Sequence, residues 1–162
     1  MLTLEEMLVR LVVAVALGAV VGFGRELAGK EAGVRTDIIV AAGAALFTVA
    51  ALVLPYILDP GVLGKDGSGL ADEIIVQNAG FLNIIANIVV GIGFLGAGII
   101  VKQGVHVRSV TTAATVWLVA ALGVLAGLGL LAFAAIAGVG LTILLAVLGR
   151  IDLKRLPTGQ AG

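Results

Sequence analysis

Apolar residues run almost without interruption along this chain, and polar residues fall in a few short clusters that cut the run into segments. Charge-poor windows cover Met7 to Phe23, Ile38 to Leu58 and Phe81 to Val101, followed by one unbroken stretch from Val110 to Leu148. At about 1.5 Å per residue, a helix through any of the first three matches a hydrocarbon core of roughly 30 Å, whereas one helix through the last would be nearly twice too long. The last stretch must therefore turn back on itself, and Gly127-Leu128-Gly129 is its natural hairpin. The pattern predicts an all-α membrane protein. Five transmembrane helices form a compact bundle over residues 1–150, the fourth and fifth short and tightly paired, with a short tail at 151–162.

Composition agrees and adds a packing rule. The chain is 60% hydrophobic and 12% charged, with a mean hydropathy of +1.22, outside the range of soluble domains. Lipid gives helices no hydrophobic reason to associate, so 24 glycines beside five Phe, one Trp and one Tyr imply that small side chains draw the helices together. Zero formal charge and the absence of cysteine suggest neither nucleic-acid binding nor a disulfide framework. The N-terminus carries Glu5, Glu6 and Arg10 and lacks a basic region with a small-residue cleavage site, so the first segment reads as a retained span.

Basic residues set the expected orientation. Arg25, Lys30, Arg35, Lys102, Arg108, Arg150, Lys154 and Arg155 fall on one side, and only Arg10 and Lys65 on the other. The positive-inside rule then puts the N-terminus outside and the C-terminus in the cytoplasm. The 59–80 connection is rich in breakers and reads as an outer linker, its later part, Leu70 to Phe81, able to form a short interfacial helix. Val34-Arg35-Thr36 and Val107-Arg108-Ser109 each precede a small-residue segment, a weak internal repeat of the parallel type.

Four groups of residues are candidates for function. Gly91, Gly93, Gly96 and Gly98 crowd the third span, reading either as a close helix contact or as a loosened helix whose carbonyls face a cavity. Asn83 and Asn87, one turn apart on the same span, serve as interhelical hydrogen-bonding groups or as a polar lining for an ion or water. Thr112 and Thr115 open the fourth helix after Ser109, a candidate cap. They either bond back to carbonyls a turn earlier or face Asn87 and the glycines. Trp117 reads as core.

The fourth group is a charged cluster at the inner surface, with Arg25, Glu26, Lys30, Glu31, Arg35 and Asp37 in one connection and Arg108 in another. Thr36 is placed to cap the second helix and Asp37 to sit at its positive end. A solvated positive-inside loop and a cytoplasmic gate of paired ions are the two readings. His106 is a lone histidine in a polar loop. With no cysteine, no second histidine, no phosphate loop and no Ser/His/Asp set, an enzyme is not expected.

Three blocks of this sequence resemble the signature blocks of the MgtC/SapB family's transmembrane domain. They are Gly22 to Glu26 with Ala32-Gly33-Val34-Arg35-Thr36, then Gly91-Ile-Gly-Phe-Leu-Gly-Ala-Gly98, then Thr111-Thr112-Ala113-Ala114-Thr115-Val-Trp117, and the resemblance covers roughly residues 4 to 150. It implies a multi-pass prokaryotic cell-membrane protein linked to magnesium homeostasis, through ion transport or by modulating a membrane partner such as the proton-driven ATP synthase. A homo-oligomer, or a permeation path for another small ion or solute, stays open beside these. Mg²⁺ enters as substrate or effector, and no resident cofactor is implied. The chain departs from the family's pattern in two places: Gly24 stands where a glutamate is usual, and Gly80 and Asn83 stand where an acid and an arginine are usual.

Overall fold

The computed structural model describes residues 2–30, 32–58, 70–103 and 106–150. Five helices, α1 (Leu4–Leu27), α2 (Val34–Leu58), α3 (Leu70–Ile99), α4 (Val110–Gly127) and α5 (Leu131–Arg150), are each long and apolar enough to cross a membrane. The 59–69 linker, Lys65, Glu31 and the 151–162 tail lie outside the described residues. Between α3 and α4 the chain forms a small antiparallel ribbon, β1 (Val101–Gln103) on β2 (His106–Arg108), where the sequence suggested only a loop.

Helix ends follow from local chemistry. Thr3 and Glu6 form a reciprocal capping box at the start of α1. At its end Gly29, with φ 64°, donates to the Glu26 carbonyl while Lys30 donates to that of Arg25, which is the Schellman arrangement. The same pair of bonds closes α4: Gly129, with φ 87°, to Ala126 and Leu130 to Leu125. Arg10 Nη1 adds a bond of 2.7 Å to the Gly127 carbonyl, so one of the two basic residues assigned to the outer side is a helix cap. The N-terminus of α2 is not capped by Thr36, which lies inside its first turn. Instead the Glu26 carboxylate, reaching from α1, accepts from the Val34 N–H at 3.2 Å. Ser109 occupies the N-cap position of α4 in a left-handed conformation, and its side chain does not make the capping bond.

The third helix begins earlier than its apolar window. Leu70 to Ala79 contains no glycine or proline, so the segment expected as a separate interfacial helix is continuous with the span. It stays helical through Gly91–Gly98, which removes the loosened-helix reading.

Packing centres on α2, which is in contact with α1, α4 and α3; α5 lies chiefly on α1 and less on α4, so α4 and α5 are not the tightly paired unit expected. Buried Ala14, Leu17, Val40, Ala41, Val116, Val119 and Leu122 form the core. Two glycine pairs at i, i+4 spacing let the backbones meet. A Cβ on Gly18 would lie 2.6 Å from the Asp37 carbonyl oxygen, and one on Gly22 2.6 Å from Val34 Cα. On α4, a Cβ at Gly127 would lie 2.7 Å from Thr48 Cβ, and one at Gly123 would overlap the Ala41 carbonyl. These are the small-xxx-small contacts that membrane helices use.

The glycine cluster of α3 behaves differently, contrary to expectation. Within this chain nothing lies within 4 Å of a Cβ placed on Gly91, Gly93 or Gly98, and Gly96 alone of the four meets a neighbour, Ala113 Cβ at 3.5 Å. The apolar window of α3 is 0% buried, against 56% for α4.

Candidate functional site

Of the inner charged cluster, the bundle brings together Arg25 and Asp37. Because α1 continues past its apolar window to Leu27 and α2 starts at Val34, both residues are helical and turn inward. Gly22 leaves the room: a Cβ there would lie 3.2 Å from Asp37 Cβ. Asp37 is 0% exposed and Arg25 8%, with Nε to Oδ2 at 3.6 Å, a charge contact longer than a hydrogen bond. Arg25 Nε donates instead to the Ala32 carbonyl at 3.0 Å, and Nη1 reaches the Thr112 carbonyl at 3.5 Å.

One guanidinium thus touches the first connection, the start of α2 and the first turn of α4. Arg25 Nη2 and both Asp37 carboxylate oxygens are buried with no hydrogen-bond partner in the protein. Such a pair is held by Coulomb attraction in a low-dielectric setting while its remaining donors and acceptors go unused, so it specifies how helices meet more than it stabilises them. Among the other cluster members, Glu26 caps α2, Arg35 and Arg108 are exposed, and Thr36 is half-buried. Among the described residues the cluster holds one closed pair, Arg25 with Asp37, with exposed charges around it.

The polar residues of the spans separate into two places. Thr112 and Thr115 are buried, and they line a cavity with α1 and α5 and do not face Asn87. Thr115 donates to the Thr111 carbonyl at 2.8 Å, the expected back-bond. Asn83 and Asn87 are exposed on α3, and with Gly91 they follow one another at i, i+4, i+8 on one face. Asn87 and Gly91 also form one wall of an apolar groove of about 520 Å³, whose other wall is Val40, Gly43 and Phe47 of α2. Trp117, expected in the core, is half-exposed in a separate apolar groove between α3 and α4.

Gly43 and Thr142 carry no signal of their own in the sequence, and Gly24 stands out there only as a departure from the family's pattern. Gly43 faces the α2–α3 groove; Gly24 and Thr142 lie on the cavity shared by α1, α4 and α5. The helical spacing of Gly43 with Phe47 and of Thr142 with Leu145 was visible, but which helix each meets depends on bundle topology. Among the described residues no group of three His, Cys, Asp or Glu side chains is placed to hold a metal ion.

Comparison with known proteins supplies a second line of observation. A family model described as the MgtC family matches residues 11–153. Protein MgtC of Brucella abortus (strain 2308) is 40% identical over 126 residues, which is 78% of this chain and 44% of that protein. Protein MgtC of Salmonella typhimurium (strain LT2) is 40% identical over 122 residues, 75% of this chain and 43% of that protein. The chain therefore spans less than half the length of these curated relatives. No solved structure matches it.

Proposed function

The chain belongs to the MgtC family, and on that premise we propose that it serves magnesium homeostasis in a prokaryotic cell membrane by engaging another membrane protein, without itself carrying Mg²⁺. The observation that carries this is the exposed stripe of Asn83, Asn87 and Gly91 on an apolar span, α3. An amide facing hydrocarbon has no hydrogen-bond partner there, and a glycine one turn on lets a second backbone approach closely, so the stripe favours a transmembrane helix of the partner. The α2–α3 groove, with Gly43 opposite Gly91, offers the seat for that helix.

The ionisable groups point the same way. Mg²⁺ takes hard oxygen ligands in octahedral geometry and gives up water reluctantly. The one carboxylate buried among the described residues is Asp37, which faces Arg25, a poor start for a cation path. Reconstituted alone in liposomes, the protein is expected to show little Mg²⁺ flux. Saturable uptake that disappears with Asn87→Leu would overturn the proposal. A photocrosslinker at Asn87 is expected to capture a distinct membrane protein in native membranes, whereas one at Val12, exposed on α1, is not. Products made only of two copies of this chain would reassign the face to self-assembly.

A further inference from the structure

The Arg25–Asp37 pair lies apart from the α3 stripe, and partner engagement makes no use of it. Ionisable side chains within a span are costly, and where they occur they commonly mark proton or ion relays. This pair is closed but loosely held. Asp37 is fully buried, neither of its oxygens accepts a hydrogen bond from the protein, and Arg25 Nε stands 3.6 Å away. From α1, Arg25 is the charge that acts on it, while Glu26 is committed to the Val34 N–H. Arg35 on its own helix and Arg108 ahead of α4 are exposed, and α4 presents threonines on this side. The guanidinium is tied as lightly: Nε donates to the Ala32 carbonyl at 3.0 Å, Nη1 stands 3.5 Å from the Thr112 carbonyl, and Nη2 has no partner.

Room for a second position lies beside it. A cavity of about 320 Å³ between α1, α4 and α5 has Arg25 as part of its wall. Thr115 is one turn along α4 from Thr112, whose carbonyl Nη1 already reaches. Gly24, the residue before Arg25, brings α1 so near α5 that a Cβ there would stand 3.5 Å from the Thr142 methyl. The hydroxyls of Thr115 and Thr142 line the cavity and commit their protons to the Thr111 and Gly138 carbonyls at 2.8 and 2.7 Å, so their oxygens keep lone pairs free to accept. Lys30, which is exposed, also lines the cavity, so water reaches this space. The guanidinium thus has two competing positions. Against Asp37 it has a counter-ion but idle donors; in the cavity it has acceptors and water, but a like charge at Lys30 and no counter-ion.

We propose that Asp37 is a proton-binding site whose protonation moves Arg25 from the first position to the second. Ionised, Asp37 holds the guanidinium between α1 and α2. A proton taken from water onto one carboxylate oxygen leaves a neutral carboxyl and removes the attraction. The guanidinium keeps its charge and turns to donate to the Thr115 and Thr142 oxygens. Acid favours this released position because the attraction that opposes protonation exists only in the closed one. Release gives up the bonds to the Ala32 and Thr112 carbonyls, so it loosens the α1–α2 connection from the first turn of α4.

The test uses the full chain, isotope-labelled and reconstituted in lipid bilayers, with the guanidinium followed by magic-angle-spinning NMR from about pH 8 to about pH 4. Signals of Arg25 are assigned by their loss in Arg25→Lys. At the alkaline end a cross-peak joins the guanidinium to the Asp37 carboxyl carbon. On acidification this cross-peak is expected to vanish reversibly as the carboxyl carbon takes the shift of a neutral acid, and contacts to the Thr115 and Thr142 side chains are expected to appear. Asp37→Asn should show the threonine contacts over the whole range. Because that variant also loses stability, Thr115→Val with Thr142→Val supplies a second check: without the receiving oxygens, the Asp37 contact should persist into acid where the parent has lost it. An Asp37 contact unchanged over the range in which the parent stays folded would overturn the proposal. So would a protonated Asp37 with the guanidinium still in place, or a double threonine variant that releases Arg25 as the parent does. None of these readings involves α3, so failure here leaves partner engagement standing.

Discussion

Two sets of glycines in one chain make opposite predictions for the same chemical change. At Gly123 the atoms that would meet a new methyl are the Ala41 carbonyl and the Ala44 Cβ, the latter at 2.9 Å, and neither can swing aside. The α2 and α4 backbones must therefore separate, an overpacking cost of up to about 3 kcal/mol. Alanine recovers up to about 1 kcal/mol of helix propensity, so Gly123→Ala is expected to lose about 2 kcal/mol net. At Gly91 and Gly98 no atom stands within 4 Å of the added methyl, so there the propensity gain acts alone and stability rises by up to about 1 kcal/mol. The two changes should differ by about 3 kcal/mol in all. Adding Gly127→Ala to Gly123→Ala should cost less than the sum of the single changes, since both push on the same α2–α4 contact. Unfolding of the purified protein by SDS in mixed micelles measures this, read by far-UV circular dichroism and by the single Trp117 between α3 and α4. Equal losses at Gly91 and Gly123, or none at Gly123, would refute the assignment of close contact to the α4–α2 interface.

Other outcomes follow from the same geometry. Asp37→Asn leaves Arg25 charged and buried without a counter-ion and should cost about 3–5 kcal/mol, whereas Arg25→Met with Asp37→Leu should recover most of it, both measured by the same SDS titration. Arg10→Ala removes the cap on the Gly127 carbonyl and should cost about 1–3 kcal/mol, with faster amide exchange at Leu128–Leu130 as its local signature. Thr3→Ala breaks the capping box and should cost about 1 kcal/mol, with fraying confined to the first turn of α1 in hydrogen exchange. Glu26→Gln keeps an acceptor for the Val34 N–H and should be milder than Glu26→Ala, a ranking that thermal unfolding can check.

The number of spans and the α4–α5 turn were readable because charge ends each apolar window and a glycine in the left-handed region closes the hairpin. The start of α3 was misplaced because hydropathy windows score side-chain polarity, whereas Asp72, Glu73, Gln77 and Asn78 are all compatible with helix. Counting glycines drew attention to α3, yet the contacts use Gly18 with Gly22 and Gly123 with Gly127. Their i, i+4 spacing was present in the sequence, but spacing alone does not say whether a face meets a neighbour or lipid. Arg25 and Asp37 looked like members of a solvated cluster because a linear sequence shows six nearby charges and not which two turn inward. The two cavities needed the topology, since that of Thr115 and Thr142 draws on helices far apart in the chain.

The Glu26 tie to the first turn of α2 joins residues eight apart, and with the Gly29 turn it completes the α1–α2 junction using atoms of the N-terminal third alone. A pair of helices whose junction needs no later segment can be handed to the membrane as a finished hairpin while the ribosome is still making α3. The remaining helices then add to a template already in place, and an error in biogenesis would strand α3 or α5 before it disturbed the first two.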